Sequence, residues 1–216
     1  MTEQSFPRVQ QLHVGYSALE DRLALRLTLA SGELRAVWLP RRVVSLLLQR
    51  VTEALRRTHP AVTEEGGAAH DEVLALEHLA ALSELAGQRQ DAAARRQGEE
   101  TEAADQSGAA ASAASAAGEG ADTALSGAAF TGHFLVSEDL LEVRDGALIV
   151  ALLGQPLRNS EPGLPQEAAP IAAMSLSRAQ AHELLRMLGE HTKAARWGLQ
   201  QRLSWTEYFK LGRGIP

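Results

Sequence analysis

The sequence predicts an α+β fold: two antiparallel β-meander-plus-helix units with pseudo-twofold similarity, joined by a disordered acidic spacer rich in Ala, Gly and Ser. Three observations carry that reading. Apolar and polar residues alternate in short runs on both sides of the chain's middle. A strand-to-helix junction recurs at a constant offset of 137 positions: Leu39-Pro-Arg41 with Leu47, Leu48 and Val51 matches Leu176-Ser-Arg178 with Leu184, Leu185 and Leu188. The negative charge is concentrated between them.

Charge locates the boundaries. Met1 to Arg57 carries nine Arg against five acids, Thr58 to Ala129 three Arg against thirteen acids, and Phe130 to Pro216 nine basic residues against nine acids. Residues 98–129 are almost entirely Ala, Gly, Ser and acids. Such a stretch buries too little apolar surface to offset its ordering entropy, so it reads as a disordered linker. The expected organisation is an N-terminal unit over 8–97, the linker over 98–129, a C-terminal unit over 130–198 and an aromatic tail over 199–216.

In the first unit, Leu12, Val14 and Tyr16 alternate with polar or small residues and predict a strand. Residues Ser17 to Asp21 form a turn. Leu23, Leu25, Leu27 and Leu29 then occupy one face of a second strand, with Arg22, Ala24, Arg26 and Thr28 on the other. The run Ala30-Ser-Gly32 turns the chain into a third strand over Glu33 to Leu39. Pro40 fits a helix's first turn, and Val44, Leu47, Leu48, Val51 and Leu55 follow at helical spacing until His59-Pro60. A second helix is expected over Asp71 to Arg96, with Val73, Leu76, Leu79, Leu82 and Leu85 on one side.

In the second unit, Phe134 to Val136 and Leu140 to Arg144 read as two pieces of strand. Asp145-Gly146 is a hairpin signal. The run Ala147 to Leu153 is apolar on both faces, which suits a central strand. Residues Gly154 to Pro170 read as a loop and Ile171 to Leu176 as a strand. Ser177 and Gln180 match a capping box that opens a helix burying Leu184, Leu185, Leu188 and Trp197. In the tail, Trp205, Tyr208 and Phe209 share one face of a short helix, and either pack on the body or dock a partner.

The block Tyr16-Ser-Ala-Leu-Glu-Asp-Arg-Leu-Ala-Leu-Arg-Leu27, with Gly32 and Trp38-Leu-Pro-Arg-Arg42, resembles small uncharacterised bacterial proteins with an EDRL…LR…G…WLxRR hairpin-helix signature. The helix around Ser-Arg-Ala-Gln-Ala-His-Glu-Leu-Leu185 resembles their C-terminal part. Pro40 stands where that pattern leads one to expect Thr. The resemblance implies no activity and supplies no functional residues.

Composition excludes several chemistries. The chain has 216 residues and no cysteine, so disulfide scaffolds, thiolate metal sites and cysteine nucleophiles are absent. Aromatics make up only 4%, leaving a core of Leu, Val and Ala. No apolar run reaches the roughly 18 residues of a membrane-spanning helix, and the first eight residues lack the pattern of a secretory signal. Lys occurs only at positions 193 and 210; with the load of Arg, Ala and Leu, this suggests a cytoplasmic bacterial protein.

Nucleotide-binding, zinc-protease, nucleophile-elbow and EF-hand patterns are missing. Catalytic residues, metal ligands and cofactors are therefore expected to be none. Of seven His, the set His182, Glu183 and His191 comes nearest to a metal site, but exposed surface histidines are the expectation. The acid pairs Glu20-Asp21 and Glu138-Asp139 read as turn chemistry. Arg22, Arg26, Arg35, Arg41 and Arg42 form the best functional lead, a positive sheet face for nucleic acid or another anion. A solvated or salt-bridged face is the competing reading. Three functions follow in rank: a non-enzymatic interaction or adaptor protein, expected as a homodimer, using sheet and tail surfaces; a binder of nucleic acid or a phosphorylated ligand through the Arg face; and an enzyme with a site between the halves.

Overall fold

Alternating Leu residues build the strands. The computed structural model describes residues 5–59, 67–106, 130–157 and 167–207. Strand β1 (Val9–Ser17), β2 (Arg22–Leu29) and β3 (Leu34–Leu39) lead into helix α1 (Arg41–Arg57) and helix α2 (Gly67–Gln106). Strands β4 (Gly132–Arg144), β5 (Ala147–Pro156) and β6 (Ala169–Leu176) lead into α3 (Arg178–Ala194) and a 3-10 segment, η1 (Leu199–Glu207). The fold is α+β, with one six-stranded mixed sheet in the order β1-β2-β3-β4-β5-β6. All neighbours are antiparallel except β3 and β4, which are parallel. An isolated parallel bridge joins Arg8 to Ala173, and the Ala173 amide donates to the Pro7 carbonyl at 2.8 Å, so the residue before β1 meets β6.

One face of the sheet carries Leu23, Leu25, Leu27, Leu29, Val37 and Leu39, all buried against the helices. The α1 stripe of Val44, Leu47, Leu48, Val51 and Leu55 and the α3 stripe of Ala181, Leu184, Leu185 and Leu188 are buried as expected. Each Leu so buried contributes about 1.5–3 kcal/mol. Helix α1 packs on β4, and α3 packs on β1.

Helix starts follow local chemistry. Pro40 is the N-cap of α1 rather than its first helical residue and offers no side-chain cap; Arg56 and Arg57 complement the negative end of the helix dipole. At α3 the capping box forms: the Gln180 amide donates to the Ser177 hydroxyl at 3.2 Å, and the Ser177 amide donates to Gln180 Oε1 at 2.9 Å. Asp145 and Gly146 both have positive φ, 52° and 77°, as a tight hairpin of primed type needs.

Several boundaries differ from the sequence reading. The two strand pieces before Asp145 are one strand, β4, interrupted by a register shift between Val136 and Glu138. That bulge breaks the alternation without ending the strand. Strand β5 continues through Gly154 to Pro156 because a Cβ at Gly154 would lie 2.0 Å from the Leu135 carbonyl oxygen, a backbone approach open only to glycine. Helix α2 runs past Arg96 to Gln106, since its Ala, Glu, Gln and Arg have high helix propensity even without an apolar stripe. Residues 98–106, expected as linker, are thus helical; the rest of that segment, 107–129, lies outside the described residues.

Chain contacts divide into two units. The first comprises Met1–Leu82 and Phe130–Pro216, the second Ser83–Ala129. Within the first, the buried side of α2 is Leu74, Ala75, His78 and Ala81, while Leu76 is 52% and Leu79 44% exposed. This corrects the stripe expected through Leu76 and Leu79. No helix among the described residues is long and apolar enough to cross a membrane.

Candidate functional site

The five arginines do not form one face. Arg26 lies opposite Ala36, and Arg35 lies opposite Leu27, so Arg35 belongs to the Leu-bearing side of the sheet. A one-residue difference in register exchanges the two faces, which is why the strand pattern alone misplaced it. There its Nε and Nη2 donate to Glu33 at 3.1 and 3.2 Å, and its Nη1 donates to the Ile171 carbonyl. Its guanidinium also lies 5.2 Å from the centre of the Phe134 ring. These Arg35 hydrogen bonds are the main reason the Glu33 carboxyl is held below its ordinary range.

The other arginines are also engaged. Arg22 pairs with Glu20 at 3.6 Å, Arg42 donates to the Ser137 carbonyl at 3.4 Å, and Arg41 lies close enough to Asp21 to favour its ionised form. Within this set, ion pairs join Arg22 to Glu20 and Arg35 to Glu33. Of the two readings of the tail, Trp205 follows packing on the body: it is 2% exposed. Tyr208 and Phe209 lie outside the described residues.

The polar cluster that does assemble was missed. His182 on α3 is fully buried and His78 on α2 is 5% exposed, against the expectation of surface histidines. Their Nδ1 atoms face each other at 3.3 Å. His182 Nε2 lies 3.4 Å from Glu77 Oε2. Glu77 in turn accepts from Arg178 Nε at 2.6 Å and Nη2 at 2.7 Å. Arg178 Nη2 also donates to the Leu55 carbonyl at 3.0 Å, and Nη1 to the Thr58 hydroxyl. His59 Nε2 stands 3.7 Å from the same Glu77 oxygen. The Trp205 ring lies edge-on to both imidazoles, at 5.4 Å from His78 and 6.1 Å from His182.

Burial pushes the Glu77 carboxyl up, but hydrogen bonds from Arg178 and then His182 outweigh it and bring it to about 2. Which Nδ1 donates in the link between α2 and α3 depends on the tautomers of the two rings. A sequence signal for this pair existed: His78 follows Leu74 by four residues and precedes Ala81 by three, the spacing of a buried helical stripe.

Beside the pair lies a cleft of about 300 Å³. Leu79, Leu82, Leu185 and Leu203 wall it, and His78 reaches it from the buried network. Its rim carries Arg186, Glu190 and Lys193. Arg186 pairs with Glu183 at 2.7 and 2.8 Å and with Glu190 at 2.6 Å. The bonds to Glu183 are the largest cause of its raised pKa. Among the described residues, no group of three His, Cys, Asp or Glu side chains is placed to hold a metal ion.

No protein-family model matches the chain, and no curated protein or solved structure is similar to it.

Proposed function

We propose that this chain is a non-enzymatic interaction protein whose docking surface is the α2 face beside the cleft, in place of the sheet face and aromatic tail. The supporting observation is the exposure of Leu76 and Leu79, 52% and 44%, on a helix whose other side is buried. Leu79 also walls the cleft, together with Leu82, so solvent-facing and recessed apolar surface are continuous there. Clustered exposed Leu beside a polar rim is the signature of a protein contact. The test is capture of a partner from the native host with the wild-type chain and with Leu79→Glu, whose side chain replaces apolar contact with a solvated charge. The expected result is a partner lost with Leu79→Glu while circular dichroism is unchanged. A partner retained at equal yield would overturn the reading. A homodimer through this face would appear as concentration-dependent sedimentation that the same substitution abolishes.

The platform for that surface is, on this reading, a tandem of two βββα units. Helices α1 and α3 each have 17 residues and begin two residues after the preceding strand. At the offset of 137 positions, buried Val44, Leu47, Leu48 and Val51 match buried Ala181, Leu184, Leu185 and Leu188. Each helix lies on the first strand of the other unit. An experimental structure in which residues 9–57 and 132–194 fail to superpose with these residues paired would remove the tandem.

A further inference from the structure

We infer that the open edge of β4 between Leu140 and Arg144 is a self-association site, where a second copy of this chain adds its own β4 antiparallel across a two-fold axis at Val143. Strand β3 pairs with β4 only from Gly132 to Leu135, because the chain leaves β3 after Leu39 for α1. Beyond Leu135, among the described residues, β4 has a strand neighbour only on the β5 side. The hairpin fixes which backbone groups face outward. Its two-residue turn at Asp145 and Gly146 closes on the pair Arg144 and Ala147, and a turn of that type hydrogen-bonds its flanking pair. Arg144, Glu142 and Leu140 therefore bond toward β5, while the amides and carbonyls of Val143 and Leu141 point to the open side. The same alternation aims the Asp139 carbonyl outward, and there Arg50 Nη1 donates to it at 2.6 Å.

An open strand edge accepts another strand, and the length and side chains of this one choose the occupant. Arg50 at Asp139 stops any added strand short of that residue. A second copy meets this limit. With the axis at Val143, the copy's Asp145 and Gly146 fall opposite Leu141 and Leu140, and its chain turns away there. Leu140, 51% exposed, then faces a glycine without a side chain, and Val143, 37% exposed, meets its own counterpart.

Charge sets the register. Glu142 and Arg144 lie on one face of β4, 3.0 Å apart. Across the axis Glu142 opposes the copy's Arg144 and Arg144 opposes the copy's Glu142, so the signs alternate both along and across the strands. An axis at Glu142 would oppose two glutamates, and an axis at Leu141 would set Glu142 against Leu140. The pairing is isologous and closed, a continuous β5-β4-β4-β5 sheet. Its overlap is short, from Leu140 to Gly146, so the dimer is weak and concentration-dependent. It uses none of the α2 surface and stands or falls separately from the docking reading.

The experiment is sedimentation of the full chain from micromolar to submillimolar concentration, joined to single-cysteine cross-linking, which is site-specific because the chain has no cysteine of its own. Expected is a mean mass that climbs from the monomer's toward twice that value. Arg144→Glu, which sets like charges opposite each other twice, should raise the dissociation constant about tenfold. Adding Glu142→Arg to it, which exchanges the two signs, should restore the native value. Under mild oxidation Val143→Cys should form a disulfide dimer, since such paired residues stand about 5.5 Å apart at Cα. Leu141→Cys, on the same edge but about 14 Å from its counterpart, should not, being beyond disulfide reach. Leu79→Glu should leave the dimer intact. A chain that stays monomeric over the whole range, an unchanged constant in Arg144→Glu, no recovery with the exchanged charges, cross-linking at Leu141 as fast as at Val143, or a dimer lost with Leu79→Glu would each overturn the site.

Discussion

Asp21 shows how much one side chain ties together. Its φ of 46° puts it in the left-handed region, which Asp tolerates in turns better than most residues. Its Oδ1 accepts from the Tyr16 hydroxyl at 2.9 Å and from the Trp197 indole at 2.8 Å. The Trp197 bond, then the Tyr16 bond, lowers its pKa. A lowered folded-state value means the contribution is present above the unfolded carboxyl's pKa of about 3.9 and is lost as pH falls through the folded value. Asp21→Ala should lower the urea midpoint at neutral pH and less so in acid; equal midpoints at both would show the two bonds to be idle. Glu77 obeys the same sign. Its contribution is complete above about 4.5 and fades as pH falls toward about 2, so Glu77→Gln should remove that part of the stability slope in a urea series across acid pH. The turn role of Asp21 was legible from Glu20-Asp21, but its partner Trp197 is 176 positions away. The parallel reading of Glu138-Asp139 failed. Asp139 is not in a turn; it is buried beneath α1, and nothing local to a strand discloses that.

At the scale of elements, the sequence told which segments are helices and strands better than how they are turned. Four alternating Leu residues specify β2 and its buried face together. For α2 the runs Leu76-Leu79-Leu82 and Leu74-His78-Ala81 are both helical stripes, and the long-range bonds of Glu77 and His78 to α3 select the second. The site was therefore hidden where two local patterns compete. Polar anchors of this kind also fix α1. Arg50 Nη1 donates to Asp139 Oδ2 at 2.9 Å and to the Asp139 carbonyl at 2.6 Å, and the Asp139 side chain is 2% exposed against 48% for Arg50. Arg50→Ala leaves a buried carboxylate without its cation and should cost about 1–3 kcal/mol, less than a fully buried pair because Arg50 is half in water. Adding Asp139→Leu to it should recover part of that loss in a double-mutant cycle.

At the scale of the whole molecule, α1 lies on β4 and α3 on β1, the first strand of the other half in each case, and α3 also touches its own β5 and β6. The α1 stripe is closed by β4 and α3, and the exposed edge of β3 is completed by β4 in parallel. A fragment ending at Gln106 would retain β1, β2, β3, α1 and α2 but would leave that stripe and that edge open. Exposed Leu and Val at α1 then cost the fragment the burial that holds the helix down, and an unpaired strand edge invites association. If the two halves are equivalent, a second copy of the fragment supplies β1 where β4 stood and its own α1 where α3 stood. The fragment should thus fold as a symmetric dimer, with stability that rises with protein concentration and with twice the monomer mass in sedimentation. It would lack the His78–His182 contact and the Glu77–Arg178 pair, since His182 and Arg178 belong to the other half. A fragment that stays folded as a monomer at micromolar concentration would mean that the first half closes its own core, and the tandem architecture would fail with it.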